Sequence, residues 1–140
     1  GEGKNRKYLL ELAEKLGVGK QVKLLGYQSN IAEVLLACDC FLFTSFREGL
    51  PGALMEAMAS GLPCIASRIR GCTDLLDDSD YMFDPKDADE LADKMKSIVD
   101  KGEVLREVTR NSNNVVNFDL DHAIQSLKKV YESIEDKRDE

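Results

Sequence analysis

Apolar and polar positions along this chain follow two periods in turn, one helical and one strand-like. Over residues 4–16 the side chains Leu9, Leu12, Ala13 and Leu16 recur at spacings of three and four, which places them on one face of a helix. Gly17 and Gly19 follow and stop it. Residues 22–25 predict a short strand closed by Gly26. Ser29 or Asn30 is placed to cap a second helix running through Leu36, with Ile31, Val34 and Leu35 on its buried side. Residues 40–44, Cys-Phe-Leu-Phe-Thr, form an apolar run too short for a helix, the pattern of a strand buried on both faces. A loop over 45–51 leads to a helix over 53–60 ended by Gly61, and residues 63–67 predict another buried strand. The turn Arg70-Gly71, a short helix over 73–76 and a last short strand over 81–83 come next. Asp87 and Glu90 stand at capping-box spacing and open a helix with the stripe Ala88, Leu91, Ala92, Met95, Ile98 and Val99. Two more helices are expected over 104–111 and 120–134, before a charged tail over 135–140. Strand and helix thus alternate four times with short connections. That order predicts an α/β fold, a Rossmann-like parallel sheet flanked by helices, in one domain over 1–140.

Composition narrows the function classes more than the fold. Of 140 residues, 43% are apolar and 32% charged, which suffices for a buried core. Asp and Glu number 26 against 19 Lys and Arg, a formal charge of −7. Nucleic-acid and anionic-membrane surfaces need clustered positive charge, so neither partner is expected. No stretch approaches the roughly 20 apolar residues of a membrane span, and no charged-then-apolar leader is visible, so a soluble domain is expected. Cys38, Cys40, Cys64 and Cys72 lack the paired spacing of a zinc site, and the only histidine, His122, is far along the chain. Small buried thiols, with neither metal nor disulfide, are expected instead.

The chemistry concentrates where a buried strand gives way to a helix, in Ser45-Phe46-Arg47-Glu48-Gly49-Leu50-Pro51-Gly52 and the residues that follow. In open α/β sheets that carboxyl-end crevice is where ligands bind. The Gly-Leu-Pro-Gly turn lets backbone approach a ligand closely, and a helix start presents free N–H groups that suit phosphate. Glu48 lies on the loop and Glu56 about a turn into the helix. A carboxylate accepts two hydrogen bonds side by side, which matches the vicinal diol of a sugar or ribose. From spacing alone, a solvated loop charge at Glu48 and a helix-surface charge at Glu56 are the commoner outcome, since isolated Glu pairs mostly face solvent. Arg68, Arg70 and Gly71 either approach the donor side of that crevice or are solvated loop residues. His122 has no partner motif and is expected to be a helix-surface histidine. Ser45 and Glu48 have the spacing of a capping box, but the Gly-Leu-Pro that follows argues against a helix there.

In its wider setting the segment resembles a known signature. Glu48-Gly49-Leu50-Pro51, then Glu56-Ala57-Met58-Ala59 with Gly61, Pro63 and Cys64-Ile65-Ala66-Ser67, resembles the Glu-x7-Glu region of retaining, GT-B-fold glycosyltransferases of family 4. Val22-Lys23-Leu24-Leu25-Gly26-Tyr27 resembles that family's strand and loop near the nucleobase, and residues 37–45 resemble its Ala-x-Asp strand. Phe83-Asp84-Pro85 with Asp87, and Val130-Tyr131, also fit. The motifs are specific because they occur together and in order.

The resemblance implies a bacterial-type, cytoplasmic enzyme of glycan biosynthesis, peripheral at most at the inner membrane face, that passes a sugar from a nucleotide-diphosphate sugar to an acceptor hydroxyl with retention. Glu48 would act at the donor sugar through its hydroxyls. The amides of Gly49, Leu50 and Gly52 would face sugar and diphosphate, Glu56 would hold the ribose, and Tyr27 and Gln28 would border the base. It implies no bound metal and no cofactor, the donor being a substrate. It further implies that the chain is the C-terminal, donor-binding part, starting at Gly1-Glu2-Gly3 just after the family's second strand. The first strands, their basic phosphate ligands and the N-terminal domain that receives a sugar or lipid-linked acceptor would then lie elsewhere. A sheet so shortened would leave strand edges open to self-association. The alternative is a nucleotide-binding or interaction module with no transferase activity of its own.

Overall fold

The computed structural model describes residues 3–77, 80–98 and 124. The chain divides into two units, Gly1–Val34 and Leu35–Glu140. In the first, helix α1 spans Arg6–Lys15. Gly17, at φ 73°, ends it: its N–H bonds Glu14 O and the Val18 N–H reaches Ala13 O, a closure that needs a left-handed residue. The apolar face expected for α1 is not a buried one. Ala13 is buried, whereas Leu9 and Leu16 are 44% and 67% exposed. Residues 22–25 are not a strand either. Val22 and Leu24 are half-buried and Lys23 and Leu25 exposed, so the strand alternation survives. Among the described residues no ladder engages them, and a strand exists only through pairing.

Helix α2, Ile31–Leu36, straddles the division. Asn30 rather than Ser29 caps it, its Oδ1 accepting the Glu33 N–H at 3.3 Å. Leu35 is its buried residue, while Ile31 is exposed.

The second unit runs β1 (Phe41–Phe43), α3 (Gly52–Ala59), β2 (Cys64–Ser67), α4 (Arg70–Leu76), β3 (Met82–Phe83) and α5 (Ala88–Ile98). All strands are parallel in the order β1-β2-β3, with Phe41 opposite Cys64 and Ala66 opposite Met82. The described residues therefore hold three strands, one fewer than the pattern suggested. Arg70-Gly71 is no turn but the first turn of α4.

Every residue of β2 is buried, and its side chains alternate between two cores. Cys64 and Ala66 pack with Leu54, Ala57 and Met58 of α3 and Cys72, Leu75 and Leu76 of α4. Ile65 faces the opposite way and packs with Tyr81, Phe83 and Ile98 of α5. Helices on both faces of a parallel sheet are the layers expected of an α/β fold. β1 departs from its expected burial: Phe41 and Phe43 are half-buried and stack at 6.2 Å, but Leu42 is exposed. The reason is its place at the sheet edge, with β2 on one side only among the described residues.

Caps fix the remaining ends. Gly61, at φ 76°, closes α3 through Gly61 N–H to Met58 O and Leu62 N–H to Ala57 O. Asp87 Oδ1 accepts the Glu90 N–H at 2.9 Å, but Glu90 turns back to the Asp84 N–H, at 2.7 Å, instead of that of Asp87. Met95 breaks the stripe of α5 by being exposed. Val99, the helix over 104–111, His122 and the tail over 135–140 lie outside the described residues. Of 120–134 only Ile124 is described, and it is helical.

Candidate functional site

Because β1 and β2 run parallel, their carboxyl ends share one rim of the sheet. From β1 the chain leaves into the loop carrying Glu48; from β2 it passes through Arg68 and Ile69 into α4. At this rim the Ser45 hydroxyl donates to Glu48 Oε1 at 2.8 Å and lies 3.5 Å from the Arg47 N–H, which donates to it. The loop then rests on α4. A β-carbon added at Gly71, which is buried, would collide with Gly49 O and come within 3.2 Å of Glu48 O. Arg47, Glu48, Gly49, Arg70 and Asp74 line an open hollow of about 640 Å³ there. Two guanidinium groups and two carboxylates face it, so it has no excess of either charge.

Beneath the loop, Cys72 is fully buried. Its thiol is pushed up from 9.0 to about 11, first by burial and second by the negative charge of Glu48. The thiol therefore stays protonated and inert. Cys64 is likewise buried, Cys40 half-buried, and Cys38 exposed, which corrects the expectation of four buried thiols. Cys38 follows α2, where no sheet or helix covers it among the described residues.

The two loop glycines differ from Gly71. A β-carbon at Gly49 or Gly52 would meet nothing within 4 Å, and neither has a left-handed φ. Among the described residues nothing in the packing demands glycine there, and the space beside each is open. Helix α3 starts at Gly52 after buried Pro51, without a side-chain cap. Leu54 and Met55 N–H turn back to Pro51 O, while the N–H groups of Gly52 and Ala53 have no acceptor within the helix. Glu56 is exposed on α3, and among the described residues its carboxylate makes no hydrogen bond or ion pair. Leu50 is 59% exposed.

Glu48 and Gly49 thus share one hollow, while Leu50, Gly52 and Glu56 follow on the loop and on α3 outside its lining. Tyr27 and Gln28 belong to the first unit. They line a separate hollow of about 750 Å³ with Arg6, Leu9 and Lys23. Tyr27 is 78% exposed, and Gln28 Nε2 donates to Leu25 O at 2.8 Å. Arg68 and Arg70 part company. Arg68 ties the sheet together through its guanidinium to Met82 O and its N–H to Phe83 O, whereas Arg70 faces the hollow.

The sequence offered Ser45 only as a capping-box partner of Glu48, and Gly71 only as a turn residue either near the donor side of the crevice or in a solvated loop. The spacing of Ser45, three residues before Glu48, was visible; the contact of Gly71 with Gly49 was not, since the two meet only through the fold. Among the described residues no cluster of His, Cys, Asp or Glu is placed to hold a metal ion, and no helix is long and apolar enough to cross a membrane.

Comparison with known proteins bears on this geometry. A family model described as Glycosyl transferases group 1 matches residues 1–115. The chain is 31% identical over 120 residues to UDP-Gal:alpha-D-GlcNAc-diphosphoundecaprenol alpha-1,3-galactosyltransferase of Escherichia coli, covering 83% of this chain and 31% of that protein. It is 28% identical over 135 residues to N-acetyl-alpha-D-glucosaminyl L-malate synthase of Bacillus anthracis, covering 94% of this chain and 35% of that one. Among solved structures, Anabaena Alr3699/HepE in complex with UDP superposes with a TM-score of 0.76 at 24% identity, over 92% of this chain and 38% of that chain. The chain spans about a third of the length of the curated relatives it matches.

Proposed function

We propose, since the chain belongs to the group 1 glycosyl transferases, that it supplies the donor-binding part of an enzyme moving a sugar from a nucleotide-diphosphate sugar to an acceptor hydroxyl with retention. The observation that carries this reading is the rim of the sheet, where a tethered Glu48 is followed by two glycines whose β-carbon positions stand open. Glu48 accepts from donor-sugar hydroxyls. The amides of Gly49, Leu50 and Gly52 face the sugar and diphosphate, whose growing charge on departure they stabilise. Glu56, with its unengaged carboxylate, takes the ribose diol, and Tyr27 and Gln28 border the base. The UDP-Gal in the name of the E. coli relative and the UDP held by the Anabaena protein support a nucleotide-diphosphate donor. The donor is a substrate, and the reading assigns no metal or cofactor. The acceptor, a sugar or a lipid-linked sugar, is bound by an N-terminal domain beyond this chain, at a cytoplasmic or peripheral inner-membrane location.

A titration of the intact protein with UDP, GDP, ADP and their glucose conjugates tests the reading. One base is expected to bind saturably, more weakly after Glu56→Ala, and its sugar conjugate more weakly after Glu48→Ala. Binding of none of them, or binding indifferent to both substitutions, overturns it. The isolated chain, about a third of the length of its relatives, favours a second reading for itself, a nucleotide-binding module with no turnover of its own. A transfer assay on the chain alone separates the two.

A further inference from the structure

We infer that Ser45 and Gly71 are positioning residues for Glu48, the first tethering its carboxylate and the second seating its backbone. The inference rests on the donor-sugar role proposed above for Glu48. Two independent contacts carry it. One is the hydrogen bond from Ser45 Oγ to Glu48 Oε1 at 2.8 Å, across a turn in which the same hydroxyl also meets the Arg47 N–H. It occupies one carboxylate oxygen and leaves the other free, so the carboxylate is held in one orientation. Bonds to an ionised acceptor are stronger than neutral ones. The other contact is steric. The Gly49 carbonyl lies closer to Gly71 than any side chain there would permit, and the Glu48 carbonyl before it would stand in tight contact, 3.2 Å, with an added β-carbon. Gly71 is buried in the first turn of α4, whose next residues, Cys72, Leu75 and Leu76, are locked into the core. The helix cannot retreat, so any methyl at position 71 displaces the loop. The charge of Glu48 felt at the Cys72 thiol agrees with that close seating.

These residues act before any ligand arrives. An exposed loop carboxylate samples many rotamers, and ordering it on binding costs affinity; a carboxylate already ordered avoids that cost. Neither Ser45 nor Gly71 needs to touch the donor.

The test is a set of variants of the intact protein, titrated with UDP-glucose and with UDP, or with the GDP or ADP pair if the panel above selects it. Ser45→Ala and Gly71→Ala are each expected to weaken the sugar nucleotide by about tenfold, the scale of one hydrogen bond to a charged group. After Ser45→Ala the bare diphosphate should bind as before, whereas Gly71→Ala, which also displaces Gly49, should weaken both ligands and the sugar nucleotide more. Ser45→Thr, which keeps the hydroxyl, should restore affinity, and Ser45→Ala should cost nothing further in a Glu48→Ala background. If Glu48→Ala weakens the sugar nucleotide while Ser45→Ala and Gly71→Ala do not, the positioning role is overturned and the role of Glu48 stands. Equal losses for both ligands, or a Ser45→Ala loss that persists without Glu48, overturn it as well. If Glu48→Ala itself changes nothing, the donor-sugar reading falls and the inference with it. Should Gly71→Ala fail to fold, the Ser45 pair carries the same test.

Discussion

At the residue scale, Cys72 ties stability to pH. Burial, and after it the charge of Glu48, raise its thiol from 9.0 to about 11, so the folded chain keeps a proton that the unfolded chain loses earlier. Below pH 9 both states hold the proton and the thiol adds no pH dependence; as pH rises from 9 toward 11 the unfolded state is favoured and stability falls. Cys72→Ala should flatten that decline, whatever its effect at neutral pH, and denaturant melts on either side of pH 9 would show it. An unchanged slope would mean that the thiol titrates normally. Glu56→Ala should weaken nucleotide binding by about 1–3 kcal/mol, the scale of a lost hydrogen bond to a charged group, as read by calorimetry. Unaltered affinity would remove the ribose assignment. Glu48 and Glu56 stand out as candidates in the sequence because a proposed carboxylate contact needs only the side chain itself and a spacing along the chain. Gly71 does not, because what makes it indispensable is a carbonyl brought to it by the packing of β1 and β2.

Elements were legible wherever their signals are local. Asn30, Gly17, Gly61 and Asp87 mark helix ends through hydrogen bonds spanning a few residues, and each is found doing so. Burial was less legible, because it depends on what covers a surface. Leu42 reads as core and lies exposed at an edge; Leu9 and Leu16 read as a buried face and are open. Residues 22–25 carry strand alternation, but among the described residues no partner makes them a strand. The glycines give a prediction at this scale. Gly61→Ala places a β-carbon at φ 76° and should destabilise by roughly 1 kcal/mol in urea melts. Gly49→Ala and Gly52→Ala have open space and ordinary φ, and should alter stability by no more than about 0.5 kcal/mol while weakening donor binding. Destabilisation by the loop pair comparable to that of Gly61 would show that these glycines serve the fold rather than a ligand.

For the whole molecule, the edge of β1 is the exposed feature. Among the described residues its outer side has no strand, and Leu36, Leu42, Phe46 and Leu50, on and around it in sequence, are exposed. A free parallel edge beside apolar side chains is a template for another strand. The isolated chain is therefore expected to associate, with a melting temperature that rises with concentration, and sedimentation across a concentration series would detect it. A monomer with a concentration-independent melt would rule this out. β2 has the opposite character. It is buried at all four positions, lies between two strands and separates two cores. Its N–H groups cannot meet solvent through local fraying, since its residues are all buried between two strands and two cores, with the Ala66 N–H donating to Tyr81 O. In heavy water those amides should be the last to take up deuterium, exchanging only when the unit opens as a whole. Their exchange rate is then a direct gauge of global stability, readable without denaturant, while the amides of α1 report openings of a smaller kind.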